Sequence, residues 1–96
     1  MQTLTIIANI TAKSEKLDLV QSELVKLVGT SQTEEGCINY SLHQDNENPL
    51  HFMVYENWES DELLQAHIAN QPFQDYVAAT EGAVEEFVIN QMSVIA

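Results

Sequence analysis

The chain has 96 residues, with fifteen acidic side chains set against three lysines and no arginine, for a formal net charge of −12 at pH 7. That length makes one domain, spanning 1–96, and an apolar content of 45% supplies a core and argues against disorder. Cations sit only at Lys13, Lys16 and Lys26. No basic stripe exists to neutralise phosphates, which excludes nucleic acid, an anionic membrane surface and large polyanions, and favours a small neutral or weakly polar ligand.

No apolar run approaches the ~18 to 20 residues of a membrane span, and Met1-Gln2-Thr3-Leu4 lacks the basic start of a signal peptide, so a cytoplasmic protein is expected. A lone Cys37 forms no internal disulfide, in keeping with a reducing compartment. CxxC, HExxH and EF-hand spacings are missing, and no metal is expected.

In chain order, Leu4 to Ala12 alternates with Leu4, Ile6, Ala8, Ile10 and Ala12 on one parity and Thr5, Ile7, Asn9 and Thr11 on the other, which predicts a strand. From Ser14 the period lengthens. Leu17, Val20, Leu24, Leu27 and Val28 predict a helix from about Glu15 to Thr33, with Ser14 as N-cap and Gly36 as the turn beyond. Cys37–Gln44 and Leu50–Trp58 predict two strands joined by the polar turn Asp45-Asn46-Glu47-Asn48-Pro49. Ser60 caps a second helix that places Leu63, Leu64, His67 and Ile68 on one face. Pro72 opens a shorter helix carrying Phe73, Tyr76, Val77 and Thr80, and Gly82 ends it. Val84 to Ile95 predicts the last strand, apolar on both parities.

This order, βαββ(αα)β, matches the split βαβ of the ferredoxin-like α+β class, βαββαβ with an antiparallel sheet and helices on one face. A sheet with one wet face alternates apolar with polar. Here Phe52, Val54 and Trp58 share one parity while Met53 and Tyr55 occupy the other. The helices cover only one face, so a second copy is expected on the other, giving a homodimer packed sheet against sheet.

Glu35-Gly36-Cys37 followed by Tyr40, then Asn48-Pro49, Tyr55-Glu56-Asn57-Trp58, Leu64 to His67 and Phe73, resembles the antibiotic biosynthesis monooxygenase family, nearest in pattern to its small quinol monooxygenases. The resemblance covers nearly the whole chain. It implies a dimeric α+β barrel, and a pocket between sheet and helices where a small aromatic phenol or quinol reacts with O2 with no cofactor. Haem-degrading members of the superfamily carry a tryptophan at the position of His67 and a histidine ten residues later, where this chain has Val77, so haem degradation is not implied. Isomerases of a phosphorylated signalling sugar share the fold, but their substrate calls for cations that this chain lacks.

Such oxygenation needs a base, hydrogen-bond donors for the developing charge, and a dry aromatic pocket. His67 is the candidate base, since imidazole ionises near neutral pH; the bland reading is a core histidine or one at a dimer contact. Glu56 shares parity with Phe52, Val54 and Trp58 and is a rival base if buried, or a solvated group at a strand edge. Asn9 interrupts an apolar strand, so it either orients substrate or O2 in the pocket or satisfies neighbouring backbone. Trp58, Tyr55, Phe73 and Tyr76 are candidate substrate-binding groups or plain core rings. His43 and His51 flank the turn symmetrically about Glu47; set opposite one another they would make a metal site, but solvated turn ends are the better reading. Cys37 reads as a core thiol. A non-catalytic dimer that sequesters a hydrophobic metabolite, or an isomerase of a small signalling molecule, requires the same pocket.

Overall fold

The protein is described here as a computed structural model covering residues 3–96. Met1 and Gln2, part of the leader reading, lie outside the described residues. The alternation at the start of the chain forms β1 (Leu4–Ala12), with Ile6, Ala8, Ile10 and Ala12 buried. One turn of 3₁₀ helix, Ser14–Lys16, precedes α1 (Leu17–Ser31). The helix therefore starts two residues later than its period suggests, and Ser14 does not cap it. The Ser14 hydroxyl instead donates to Glu15 Oε2 at 3.2 Å.

Strands β2 (Cys37–Gln44) and β3 (His51–Trp58) form the hairpin. Asp45 organises its turn, accepting at Oδ1 from the backbone N–H groups of Glu47 (2.8 Å) and Asn48 (3.3 Å). The register puts His43 opposite Met53, not His51, so the imagined histidine pair does not form. Among the described residues no three His, Cys, Asp or Glu side chains gather as a metal site.

Ser60 caps α2 (Asp61–Ala69) as expected, its Oγ accepting from the Leu63 N–H at 3.3 Å. Pro72 stands in the first turn of α3 (Gln71–Ala79), where its missing N–H costs nothing. The final strand β4 spans Val84–Met92, three residues shorter than its composition suggests. No helix of the described residues is long and apolar enough to cross a membrane.

All pairings are antiparallel and the sheet runs β2-β3-β1-β4, the ferredoxin-like order, with the helices on one face. The core lies between them. Phe52, Val54 and Trp58 from β3 and the buried side of β1 meet Val20, Leu24 and Leu27 of α1, Leu64 of α2 and Tyr76 of α3. Gly36 fixes the entry to β2. Its φ is +86°, and a Cβ there would stand 2.6 Å from Leu63 Cβ, so only glycine lets this turn lie against α2.

On β4, Phe87 and Ile89 pair with Ile10 and Ala8 and so share the helix-facing side, yet they are 48% and 46% exposed. The helices stop short of this strand. On the opposite face Tyr55, Val88 and Met92 also stand open. That accounts for a strand apolar on both parities and still unburied in the isolated chain.

Candidate active site

The period of two that buries Phe52, Val54 and Trp58 also carries Glu56 into the core, where it is only 5% exposed. Burying a carboxyl is costly unless it is paired. Trp58, two residues along the same face, donates its Nε1–H to Glu56 Oε1 at 2.8 Å. Burial dominates nonetheless. It raises the Glu56 pKa from 4.5 to about 7, against the opposing effect of the indole bond. Glu56 thus exchanges a proton near neutral pH inside an apolar core.

His67 projects from α2 one turn after Leu64, and both are buried. Its Nδ1 lies 2.6 Å from Glu34 Oε1, while Asn70 Nδ2 donates to Glu34 Oε2 at 3.3 Å. Its Nε2 is buried without a protein partner. Aromatic rings hold the imidazole in place: Trp58 lies at 4.7 Å between centroids, with Phe73 (5.3 Å) and Tyr40 (5.5 Å) edge-on.

Two small cavities meet at these groups. One, of about 40 Å³, is lined by Glu56, His67, Phe73 and Ile89 among others; the second, of about 30 Å³, adds Tyr40 and Tyr76 to Glu56, Phe73 and Ile89. Glu56 and Phe73 belong to both, and Ile89 leads each toward the open flank of β4. Burial pushes the Tyr40 and Tyr76 phenols up, Tyr40 further through the negative charge of Glu56, so both remain hydrogen-bond donors at neutral pH.

The enclosed room is smaller than the expected pocket. A cavity that takes up benzene measures roughly 150 Å³. Phe73, half-buried, borders both spaces together with Glu56 and Ile89. Larger clefts, about 420 Å³ beside β2 and about 250 Å³ between α1 and α3, are open to solvent and gather no comparable set of groups.

Of the sequence candidates, Glu56, His67, Trp58, Phe73 and Tyr76 come together on the helix side of the sheet. Asn9 and Tyr55 do not. Asn9 pairs with Met53 and Tyr55 with Ile7 on the uncovered face, because their parity is opposite to that of Ala8 and Val54. There the Asn9 Oδ1 lies 2.8 Å from His51 Nε2, while His51 Nδ1 lies 3.1 Å from Asp45 Oδ2. Glu34 escaped sequence reasoning, being one acid in a short acidic run and 33 residues from the histidine it holds. Cys37 is half-buried, and burial, then the charges of Glu56 and Glu34, raise its pKa, which disfavours a nucleophilic thiolate.

A family model described as antibiotic biosynthesis monooxygenase matches residues 3–79. The crystal structure of PA3566 from Pseudomonas aeruginosa is similar at TM-score 0.96 and 32% identity, covering 100% of this chain and 97% of that one. A crystal structure of an antibiotic biosynthesis monooxygenase is similar at TM-score 0.91 and 26% identity, over 97% of this chain and 99% of that one. The uncharacterized protein sll1783 of Synechocystis is 26% identical over 74 residues, 77% of this chain and 50% of that protein. The chain thus spans about half the length of the curated relative it matches.

Proposed function

The chain belongs to the antibiotic biosynthesis monooxygenase family, and we propose that it oxidises a small aromatic phenol or quinol with O2, with no cofactor and with Glu56 as the base. The observation that carries this reading is a carboxyl with a pKa of about 7, buried under an indole N–H and walled by Phe73 and Tyr76. At neutral pH half of it is ionised and fit to take a phenolic proton. The phenolate transfers an electron to O2 and the resulting radicals combine at a ring carbon. Water then leaves the peroxide, taking the stored proton with it. The balance is phenol plus O2 giving quinone plus water, or quinol plus O2 giving hydroxyquinone plus water. Tyr40 and Tyr76 supply donors for the oxygen that gathers charge.

Substrate entry displaces Phe73 and joins the two cavities, with the exposed Phe87 and Ile89 as the mouth. The absence of arginine in a chain of charge −12 selects a neutral ring over a phosphate or carboxylate. A second copy covers the opposite face of the sheet. What supports this is that Tyr55, Val88 and Met92, all uncharged, stand 40–45% exposed on that face. Light scattering at micromolar concentration returning 10.8 kDa would rule the dimer out.

Oxygen uptake measured over a panel of quinols, with chelator present and no flavin added, tests the activity. Uptake above the buffer blank that collapses in Glu56→Gln supports the reading. A bound quinol that is never oxidised would replace it with a sequestering protein.

A further inference from the structure

His67 stands between two spaces. On its inner side lies the cavity of about 40 Å³ that also contains the Glu56 carboxyl, and on its outer side a surface cleft of about 260 Å³ is lined by Glu34, Glu35 and Asn70. Its two nitrogens differ accordingly. Nδ1 is 2.6 Å from a Glu34 oxygen, whereas Nε2 is fully buried with no protein group to bond. An orphaned buried nitrogen is destabilising unless something meets it. The polar part of the inner cavity wall is His67 and Glu56, and the space suffices for one ordered water, whose share of liquid volume is about 30 Å³.

No other side chain around Glu56 takes up its proton at neutral pH. The indole of Trp58 only donates, and the remaining titratable groups around the carboxyl are Tyr40 and Cys37 on β2 and Tyr76 on α3. All three hold their protons more tightly than usual.

We propose that Glu56 exchanges its proton with solvent through a single water in the inner cavity, the imidazole of His67, and Glu34 at the outer cleft. Outward, the Glu56 O–H breaks, a proton arrives from the water at His67 Nε2, the Nδ1–H passes to a Glu34 oxygen, and Glu34 releases it to the cleft. Inward, the same bonds form and break in reverse. Glu56 alternately loses and gains one proton, so each passage restores the ring tautomer that the previous one left. Glu34 is a positioning and relay residue here, not a catalytic one. The purpose of the relay, setting the base for oxidation, rests on the function proposed above; the proton passage itself needs no substrate.

Trp58 is the chain's single tryptophan and is bonded to the carboxyl in question, so its fluorescence reports the ionisation of Glu56. The test is a stopped-flow pH jump across about 7 on the full chain without substrate. A fluorescence step is expected in the native protein and absent in Glu56→Gln, which assigns it. In His67→Phe the step should persist but relax on the order of tenfold or more slowly. Glu34→Gln, a near-surface change that retains an acceptor for Nδ1–H but cannot carry the proton, should slow it too. Native relaxation rates in both variants would overturn the relay, as would the lack of any step that Glu56→Gln removes. An intact relay in a protein that oxidises no quinol overturns only the activity.

Discussion

Trp58 Nε1 lies 2.8 Å from Glu56 Oε1, so that two residues on one face of one strand make both a buried carboxyl and its hydrogen-bond donor. Removing the donor by Trp58→Phe leaves the buried carboxylate unsupported. The pH of half-maximal oxidation should move above about 7, since the indole bond is what favours the charged form. The fold should lose roughly 2–4 kcal/mol, from the lost bond and the space left at a fully buried site. A pH profile and a urea titration check the two effects separately.

Stability should fall as pH rises between about 4.5 and 7. The folded state binds the Glu56 proton more tightly than the unfolded chain, which loses it near 4.5, so in this window the unfolded state holds fewer protons. The contribution is fully present below 4.5 and gone above about 7, on the order of 3 kcal/mol across the window. Melting temperatures measured across the window should decline in the native protein and do so less in Glu56→Gln.

Phe73→Ala should merge the two cavities. Two-ring phenols are then expected to gain in kcat/KM relative to one-ring phenols, while the fold loses roughly 2–4 kcal/mol, less than a fully buried phenylalanine would cost. Unchanged discrimination between the two classes would show that substrate does not pass this ring.

Gly36→Ala should destabilise the protein by about 2–4 kcal/mol, combining positive-φ strain with the collision against Leu63. Because Glu34 lies just before this turn, the His67 contact should loosen as well. Hydrogen exchange at the α2 amides would register it.

Much of the fold was legible because its signals are local. Alternation set the bounds of Cys37–Gln44, Ser60 supplied a cap, and Pro72 marked a helix start. The parity of Glu56 with Phe52 and Trp58 gave its face but left a solvated strand edge open, and it is the packing of the helices over β3 that buries the carboxyl. Ser14 misled because a hydroxyl beside Glu15 has a carboxylate to bond as well as a helix end. Asn9 misled in another way. Its polarity was evident, but its partner, His51, is 42 residues away, and its own parity already set it on the face opposite the helices. Glu34 was invisible for the same reason of distance, and the small size of the cavities depends on how the Phe73 ring packs, which no periodicity encodes.

The most direct test of the account is oxygen uptake with the best phenol or quinol of the panel, followed against pH in the native protein and in Glu56→Gln. The rate should rise to half its maximum near pH 7 and fall roughly 10²- to 10⁴-fold in the variant. Equal rates in the two proteins, or no uptake above the buffer blank at any pH, would contradict it.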